Sequence, residues 1–373
     1  MAQLIGTAPN QVPTNGDLGT AAYMDTSAFY GTGQSASFRN RIINGAMAID
    51  QRSTGALKTF SVNTGGYTVD RFVVAKTNGW TNGYTAQQVT DAPAGFISSL
   101  KLTQGGTADS LASNTYSYIG QFLEGYNMAD LGWGTANAKS GTLSFWAKSS
   151  IVGNFSFSAY NGGAQSYVTT YSIPVANTWT YITITIPGPT SGSFDTTNGS
   201  SLLLIWGLGI NFYTVPAGNS WQSGNNLGAT GAAVLWTTSN ATFQLTGVQF
   251  EKGTVATPFE YRPIGTELQL CQRYCRTVMN GETAGFGFCN GSANFYMFDY
   301  GTPMRSTPSL SYSGALNPTN YSSNISTVTG VNAITTTANG GGVRTAFALN
   351  SSPSAQACGL NPNNNLILII SEL

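Results

Sequence analysis

Between Arg39 and Pro263 the chain reads as short segments rich in Val, Ile, Thr, Tyr, Phe and Trp, cut by clusters of Gly, Asn and Ser. That is the pattern of many antiparallel strands joined by turns. It is plainest in Tyr67–Lys76, Thr142–Lys148, Asn154–Tyr160, Ser166–Ile173, Trp179–Ile186, Leu202–Phe212 and Thr242–Glu251. Along Thr180–Ile186 the alternation is strict. Ile182, Ile184 and Ile186 face one way, Thr183 and Thr185 the other, which predicts a strand with one buried and one polar face. A stretch of this length fits one large sandwich better than several small domains, since a single all-β domain can run to about 200–250 residues. A jelly roll is the expected architecture.

The two ends depart from that pattern. Residues 1–37 are rich in Gly, Pro, Thr, Asn and Ala, with turn signals at Pro9-Asn10, Asn15-Gly16 and Gly31-Thr32-Gly33 and no sustained period. Two readings stand: a tail without fixed structure, or an extended arm that becomes ordered against a neighbouring chain, with Leu18, Tyr23 and Phe29 as its assembly contacts. Further on, Leu268, Cys271, Cys275 and Val278 recur at helical spacing after Pro263 and Gly265, which predicts one short helix over 266–278. Thr266 is its expected N-cap, and both cysteines share a face that packs into the core. Strand-like text resumes at Phe286–Phe288, Ala293–Tyr300, Ser309–Tyr312, Val343–Leu349 and Leu366–Leu373. The chain is therefore read as mainly β: an N-terminal arm (1–37), a jelly-roll β-sandwich (38–263) and a smaller β-rich C-terminal domain that opens on the helix (264–373).

Charge and composition narrow the chemistry. The 373 residues include 15 Lys+Arg, 15 Asp+Glu and no His, so charged residues make up 8% of the chain, against about 25% in ordinary globular proteins. A formal charge of zero removes the electrostatic footprint of nucleic-acid binding and of attachment to anionic membranes. Without His there is no Ser-His-Asp or Cys-His nucleophile and no His-ligated zinc. The four cysteines, at 271, 275, 289 and 358, are irregularly spaced and read as reduced thiols. The opening MAQLIGTAPN has neither the basic region nor the apolar stretch of a signal peptide, and the longest apolar run, Leu366–Ile370, falls far short of the ~18 residues that span a bilayer. No membrane insertion is expected.

Glycoside hydrolysis survives this test, because it needs only two carboxylates. Asp and Glu stand singly, however, without a DxD or ExE pair on a strand, so no catalytic residues are assigned. There is no DxDxDG calcium loop and no phosphate-binding glycine motif, so neither metal nor cofactor is expected. Sugar binding asks for aromatic rings in polar loops, where the C–H face of a pyranose stacks while amides and carboxylates bond its hydroxyls. Trp80 and Tyr84, in Asn78-Gly-Trp-Thr-Asn-Gly-Tyr84, meet that requirement, as does Trp221 in Gly218–Asn226, although Trp221 also reads as a loop anchor. Trp146, Trp179, Trp206 and Trp236 lie in strand-like text and are expected in the core. Asp70 and Arg71 would point to opposite faces of a strand. Glu251 or Glu260 is the expected partner of Arg71, and Arg39, Arg41 or Arg52 that of Asp50 or Asp70.

Arg39–Arg52, followed by Tyr67–Val73, resembles the opening of a β-sandwich module found in bacteriophage tail-fibre and virion appendage proteins. The resemblance continues through Leu143–Lys148, Trp221–Gly224, Leu245–Arg262, Leu270–Tyr274 and Pro303–Pro308, and Val12–Tyr23 is similar to the attachment segment that precedes such modules. It covers nearly the whole chain, most strongly 39–308; the runs 279–300 and 313–342 depart from it. The resemblance implies a structural virion component, a tail-fibre or appendage subunit without enzymatic activity. Such a subunit would be made in the host cytoplasm, assemble as a homotrimer and join other virion proteins through its arm. Its role would be attachment to the bacterial surface through a glycan receptor. Two alternatives remain open: a polysaccharide depolymerase, and a decoration or connector protein with no receptor.

Overall fold

The computed structural model describes residues 38–162, 165–278, 302–312 and 367–373, and between these last segments the strands 285–289, 294–297, 317–320, 323–324, 328–335, 344–349 and 356–361. The expected arm, with Leu18, Tyr23 and Phe29, lies outside the described residues.

Two antiparallel sheets face each other, with strands numbered in chain order. The first has six strands in the spatial order β1 (Lys58–Phe60), β4 (Tyr84–Val89), β5 (Ser99–Gln104), β15 (Thr242–Lys252), β7 (Gly141–Ser149) and β10 (Thr180–Ile186). The second has seven: β13 (Trp221–Ser223), β9 (Gln165–Ile173), β8 (Gly153–Tyr160), β11 (Ser200–Ile210), β6 (Tyr116–Glu124), β3 (Val73–Thr77) and β2 (Gly65–Tyr67). A short parallel pair, β12 (Thr214–Val215) with β14 (Gly228–Ala229), completes this part. From β3 onward the chain passes back and forth between the sheets, the crossing pattern of a jelly roll. The alternation read in Thr180–Ile186 holds: Ile182, Ile184 and Ile186 are buried and Thr183 and Thr185 exposed. Leu100, Leu102, Phe145 and Leu245 meet Phe155, Phe157, Leu204 and Trp206 across the middle, so each strand's apolar parity leaves water on one face.

The stretch before β1 forms no strand and is held by side chains instead. Asn44 Nδ2 donates to the carbonyls of Ile49 (2.8 Å) and Asp70 (2.9 Å), while its Oδ1 accepts from the Ile49 N–H. Gln121 clasps Ile43 with two reciprocal 2.9 Å bonds between its amide and that residue's backbone. Such fully paired amides fix one conformation where no ladder does. At Gly45 a Cβ would lie 2.1 Å from the Val248 carbonyl oxygen, so only glycine permits this approach to β15.

The expected helix is shorter and earlier than its periodicity suggests. The α-helix α1 spans Ile264–Gln272 and its N-cap position is Pro263, not Thr266. Cys275 opens a strand, β16 (Cys275–Val278), instead of continuing the helix. The reason is pairing: Cys275, Arg276, Thr277 and Val278 register against Ile370, Ile369, Leu368 and Ile367 of β25 (Ile367–Ile370), and β-branched Thr277 and Val278 favour a pleated partner over a helix turn. β25 also pairs with β19 (Ser309–Tyr312). A seven-stranded sheet follows in the order β21 (Ser323–Asn324), β20 (Asn317–Asn320), β24 (Gln356–Asn361), β17 (Gly285–Cys289), β18 (Asn294–Met297), β23 (Arg344–Leu349) and β22 (Val328–Thr335). Strands β20, β22 and β24 fall in Asn-, Gly- and Thr-rich text that carries too weak an apolar alternation to announce them.

Helix α1 shares a small core with the sandwich: Cys271 and Tyr274 pack with Ile43, Ile49 and Leu373. The expected partners of Arg71 are replaced here. Asp70 and Arg71 lie in the turn before β3, Arg71 with φ of 71°, and the Arg71 guanidinium pairs with Glu372 instead of Glu251 or Glu260. Glu251 pairs with Arg39 (3.7 Å) and Asp70 with Arg52 (3.5 Å).

Candidate functional site

The outer face of the six-stranded sheet brings polar and aromatic side chains together in rows. In each strand the neighbours of a core residue point outward. Leu143, Phe145 and Ala147 are buried in the core, so Ser144, Trp146 and Lys148 of β7 face away from it. By register Gln87, Lys101, Gln244 and Lys148 stand side by side across β4, β5, β15 and β7. The next row holds Thr246, Trp146 and Tyr181, with Tyr181 directly opposite Trp146. These two rings lie 5.2 Å apart at 47°, and Tyr181 is 46% exposed.

Asp91, in the loop after β4, leans over this face and organises it. It accepts hydrogen bonds from Lys148 Nζ, Gln244 Nε2 (3.1 Å) and Trp179 Nε1 (3.4 Å). The Lys148 ammonium, which also sits 5.1 Å from the Trp179 ring centre, together with the Gln244 amide and the Trp179 indole, holds the Asp91 carboxyl below the usual carboxylate range. Asp91 is thus a fixed, ionised acceptor beside Trp179, and a poor proton donor.

A bulge in β15 between Thr246 and Gln249 lets the aromatic surface continue sideways. There Gly247 has φ of +61°, and a Cβ on it would lie 2.7 Å from Phe96 and 2.9 Å from Trp146. Phe96 packs on Phe259 (5.0 Å) and Tyr261 (5.7 Å), and the Tyr261 hydroxyl donates to the Gly95 carbonyl. Behind Phe96 opens an apolar cleft of about 270 Å³ lined by Gly45, Ala46, Ile97, Phe259 and Tyr261 among others. Ile97, Tyr261 and Ile264 at its rim are 74%, 60% and 64% exposed.

The residues singled out from sequence lie elsewhere. Trp80 and Tyr84 are buried and cannot present a ring to a ligand. With Trp236 they box in the Lys76 ammonium, at 5.4, 5.9 and 4.6 Å from its nitrogen to the ring centres, while Asp109 receives its charge at 2.6 Å. The polar-looking loop around Trp80 is the lid on a buried ion pair: Asp109 also accepts the backbone N–H groups of Thr81 and Asn82. Trp221, on the edge strand β13, is half-buried. Its Nε1 donates to the Pro187 carbonyl (2.7 Å) and its ring packs edge-on against Trp133 and Phe194, the anchoring role.

Trp206 and Trp236 are core residues as expected, whereas Trp146 and Trp179 are not. The missed signal is parity: in Leu143-Ser-Phe-Trp-Ala-Lys148 the alternation puts Trp146 on the side of Ser144 and Lys148, not of Leu143 and Phe145. Among the described residues no group of three or more Cys, Asp and Glu is placed to hold a metal ion.

No protein-family model and no curated protein matches the chain. Solved structures that resemble it include the enzymatically active domain of tailspike protein 4 from bacteriophage CBA120, at 13% identity and a TM-score of 0.29, over 57% of this chain and 21% of that one. The match thus spans about a fifth of the tailspike domain. Others are the CBM22-1 xylan-binding domain of Paenibacillus barcinonensis Xyn10C (14% identity, TM-score 0.27, 54% of this chain and 97% of that one) and a family 11 carbohydrate-binding module of Clostridium thermocellum in complex with a mixed-linked tetrasaccharide (16% identity, TM-score 0.27, 54% and 98%).

Proposed function

We propose that this chain is a glycan-binding structural subunit of a phage fibre or appendage, and that it binds a bacterial surface polysaccharide without cleaving it. The observation that carries the reading is the outward face of the six-stranded sheet. Trp146, Tyr181 and Trp179 offer ring surface there, while the Asp91 carboxylate beside Trp179 and the partly exposed Gln87 offer hydrogen-bonding groups; Gln244 is buried and serves to hold Asp91 in place. Apolar rings beside fixed polar acceptors and donors are what a pyranose requires. Binding without hydrolysis is supported by the scarcity of carboxyls on this face: cleavage needs a pair, and among the described residues Asp91 is the one exposed carboxylate beside the rings, Glu251 of the same sheet being buried against Arg39.

The assignment to a fibre rests on the resemblance carried by Arg39–Arg52, Leu143–Lys148 and Leu245–Arg262. Assembly as a homotrimer is consistent with a surface of low charge and with the exposed apolar rim at Ile97, Tyr261 and Ile264, which a second copy could cover. The arm 1–37 would join the subunit to other virion proteins.

The test is retention of the purified, fluorescently labelled chain on bacterial cells and on their extracted surface polysaccharide. Binding that is lost in Trp146→Ala, with no reducing ends released, is the expected result. Release of reducing ends would favour the depolymerase. Absence of binding to any bacterial glycan would favour the connector.

A further inference from the structure

We propose that the ligand of this face is an acidic glycan whose carboxylate pairs with Lys101; the inference rests on the glycan-binding reading above and names the class of sugar. The face carries two ammonium groups, Lys101 and Lys148, and one exposed carboxylate, Asp91. Lys148 is already neutralised by Asp91. Lys101 is flanked in its row by Gln87 and Gln244, and along its own strand by Ser99 and Thr103, none of them acidic. Among the described residues nothing forms a hydrogen bond or an ion pair with its side chain.

Among the other described cations, Arg39, Arg41, Arg52, Arg71, Lys76, Lys252, Arg262 and Arg273 have carboxylate partners. Lys58 and Arg305 bond backbone carbonyls instead, and Lys139 and Arg276 share the lack of an anion but stand outside these rows. A lone ammonium in the middle of a polar sheet face, two strands from Trp146, sets an anion at a defined distance from a stacking ring. The two side chains are separated by two interstrand spacings of about 4.8 Å and by two residues along the strand, about 7 Å. Their Cα atoms are therefore roughly 12 Å apart on the diagonal, far enough that one sugar stacks while a different unit of the same chain offers its carboxylate. A neutral sugar offers Lys101 only a hydroxyl oxygen, a weaker acceptor than a carboxylate.

The experiment uses the full chain and a set of uronate-containing bacterial polysaccharides, each paired with its carboxyl-reduced form, in which the acid has become a primary alcohol. The expected result is about tenfold tighter binding to the acidic member of a pair, consistent with one charge-assisted hydrogen bond. Salt at about 0.5 M should weaken that member alone. Lys101→Gln should abolish the preference and keep binding to the reduced form, whereas Trp146→Ala should abolish both. Equal binding of acidic and reduced forms, or a preference that survives Lys101→Gln, overturns the acidic-glycan proposal and leaves glycan binding intact. Binding to no member of any pair overturns both.

Discussion

Trp146 and Tyr181 occupy directly opposed positions on β7 and β10, both pointing away from the core, with ring centres 5.2 Å apart. An outward aromatic pair on a sheet is not needed for the sandwich, since Phe145 and Ile182 already fill the inward positions beside it. In a water-facing setting the pair exposes apolar surface that only a ligand or a partner would cover.

Replacing Trp146 by Ala should therefore cost binding and spare folding. A central aromatic anchor is worth about 2 kcal/mol, or a roughly 30-fold loss of affinity. Trp146→Ala should show that loss in calorimetric titration with surface polysaccharide, with an unfolding midpoint within about 0.5 kcal/mol of the parent. A midpoint shift of several kcal/mol would mean that the ring is structural after all.

The aromatic box around Lys76 carries a second expectation. Lys76 and Asp109 are both removed from water, so deleting one partner leaves a charge without compensation. Asp109→Ala should cost about 3–5 kcal/mol in urea unfolding, and it would also orphan the N–H groups of Thr81 and Asn82. Lys76→Met should cost less, because Asp109 keeps those donors. Equal effects would show that the ion pair, not the loop it closes, is the main contribution.

The fold was largely legible because period-two patterning depends on neighbours in sequence: Thr180–Ile186 could be read from seven residues, and it is a strand with that parity. The site was not. In Asn78–Tyr84 the local composition is that of a polar ligand loop, and what turns Trp80 inward is an ion pair to Asp109, 33 positions from Lys76. Glu372, the partner of Arg71, lies 301 positions away, beyond any local pattern. Trp146 was readable from the parity of its own strand, but a general expectation that strand tryptophans are core outweighed that signal.

Asp70 gives the stability a pH dependence whose sign is opposite to the usual acidic one. Burial raises its carboxyl to about 6, against the pull of Arg52 and of the hydrogen bonds from Gln51, and with Glu372 adding to the rise. The unfolded chain binds that proton with a pKa of about 3.9, so the folded state holds it more tightly. The contribution is complete below about pH 4 and is lost as pH rises through 6, by up to about 3 kcal/mol. Urea unfolding from pH 4 to 7 should show the parent losing stability relative to Asp70→Asn across that window. Asp109 acts the other way: the bonds from Lys76, Thr81 and Asn82 outweigh burial and lower its carboxyl, so its contribution is present above the ordinary carboxylate range and lost in acid. Parallel profiles for the parent and Asp70→Asn would remove Asp70 from the account.

The segment Ser371–Leu373 should act as a clamp between the sandwich and the strands that follow helix α1. Glu372 takes the Arg71 guanidinium on one oxygen and Arg52 (2.7 Å) on the other, with Arg71 also lying 3.5 Å over the Tyr274 ring. Arg305 donates to the Ser371 and Glu372 carbonyls at 2.8 and 2.9 Å, and the Tyr67 hydroxyl to the Leu373 carbonyl oxygen. Glu372→Ala would leave the buried Arg71 guanidinium without its anion and Arg52 with Asp70 alone at 3.5 Å, at a cost of about 3–5 kcal/mol. Glu372→Gln keeps an acceptor for one of them and should cost less. Changing Arg71→Met together with Glu372→Leu should recover much of the loss, because the desolvation penalty disappears with the charges. If the double variant is as unstable as Glu372→Ala, the clamp depends on the Arg71–Tyr274 stack and on shape, and the ion pair contributes little.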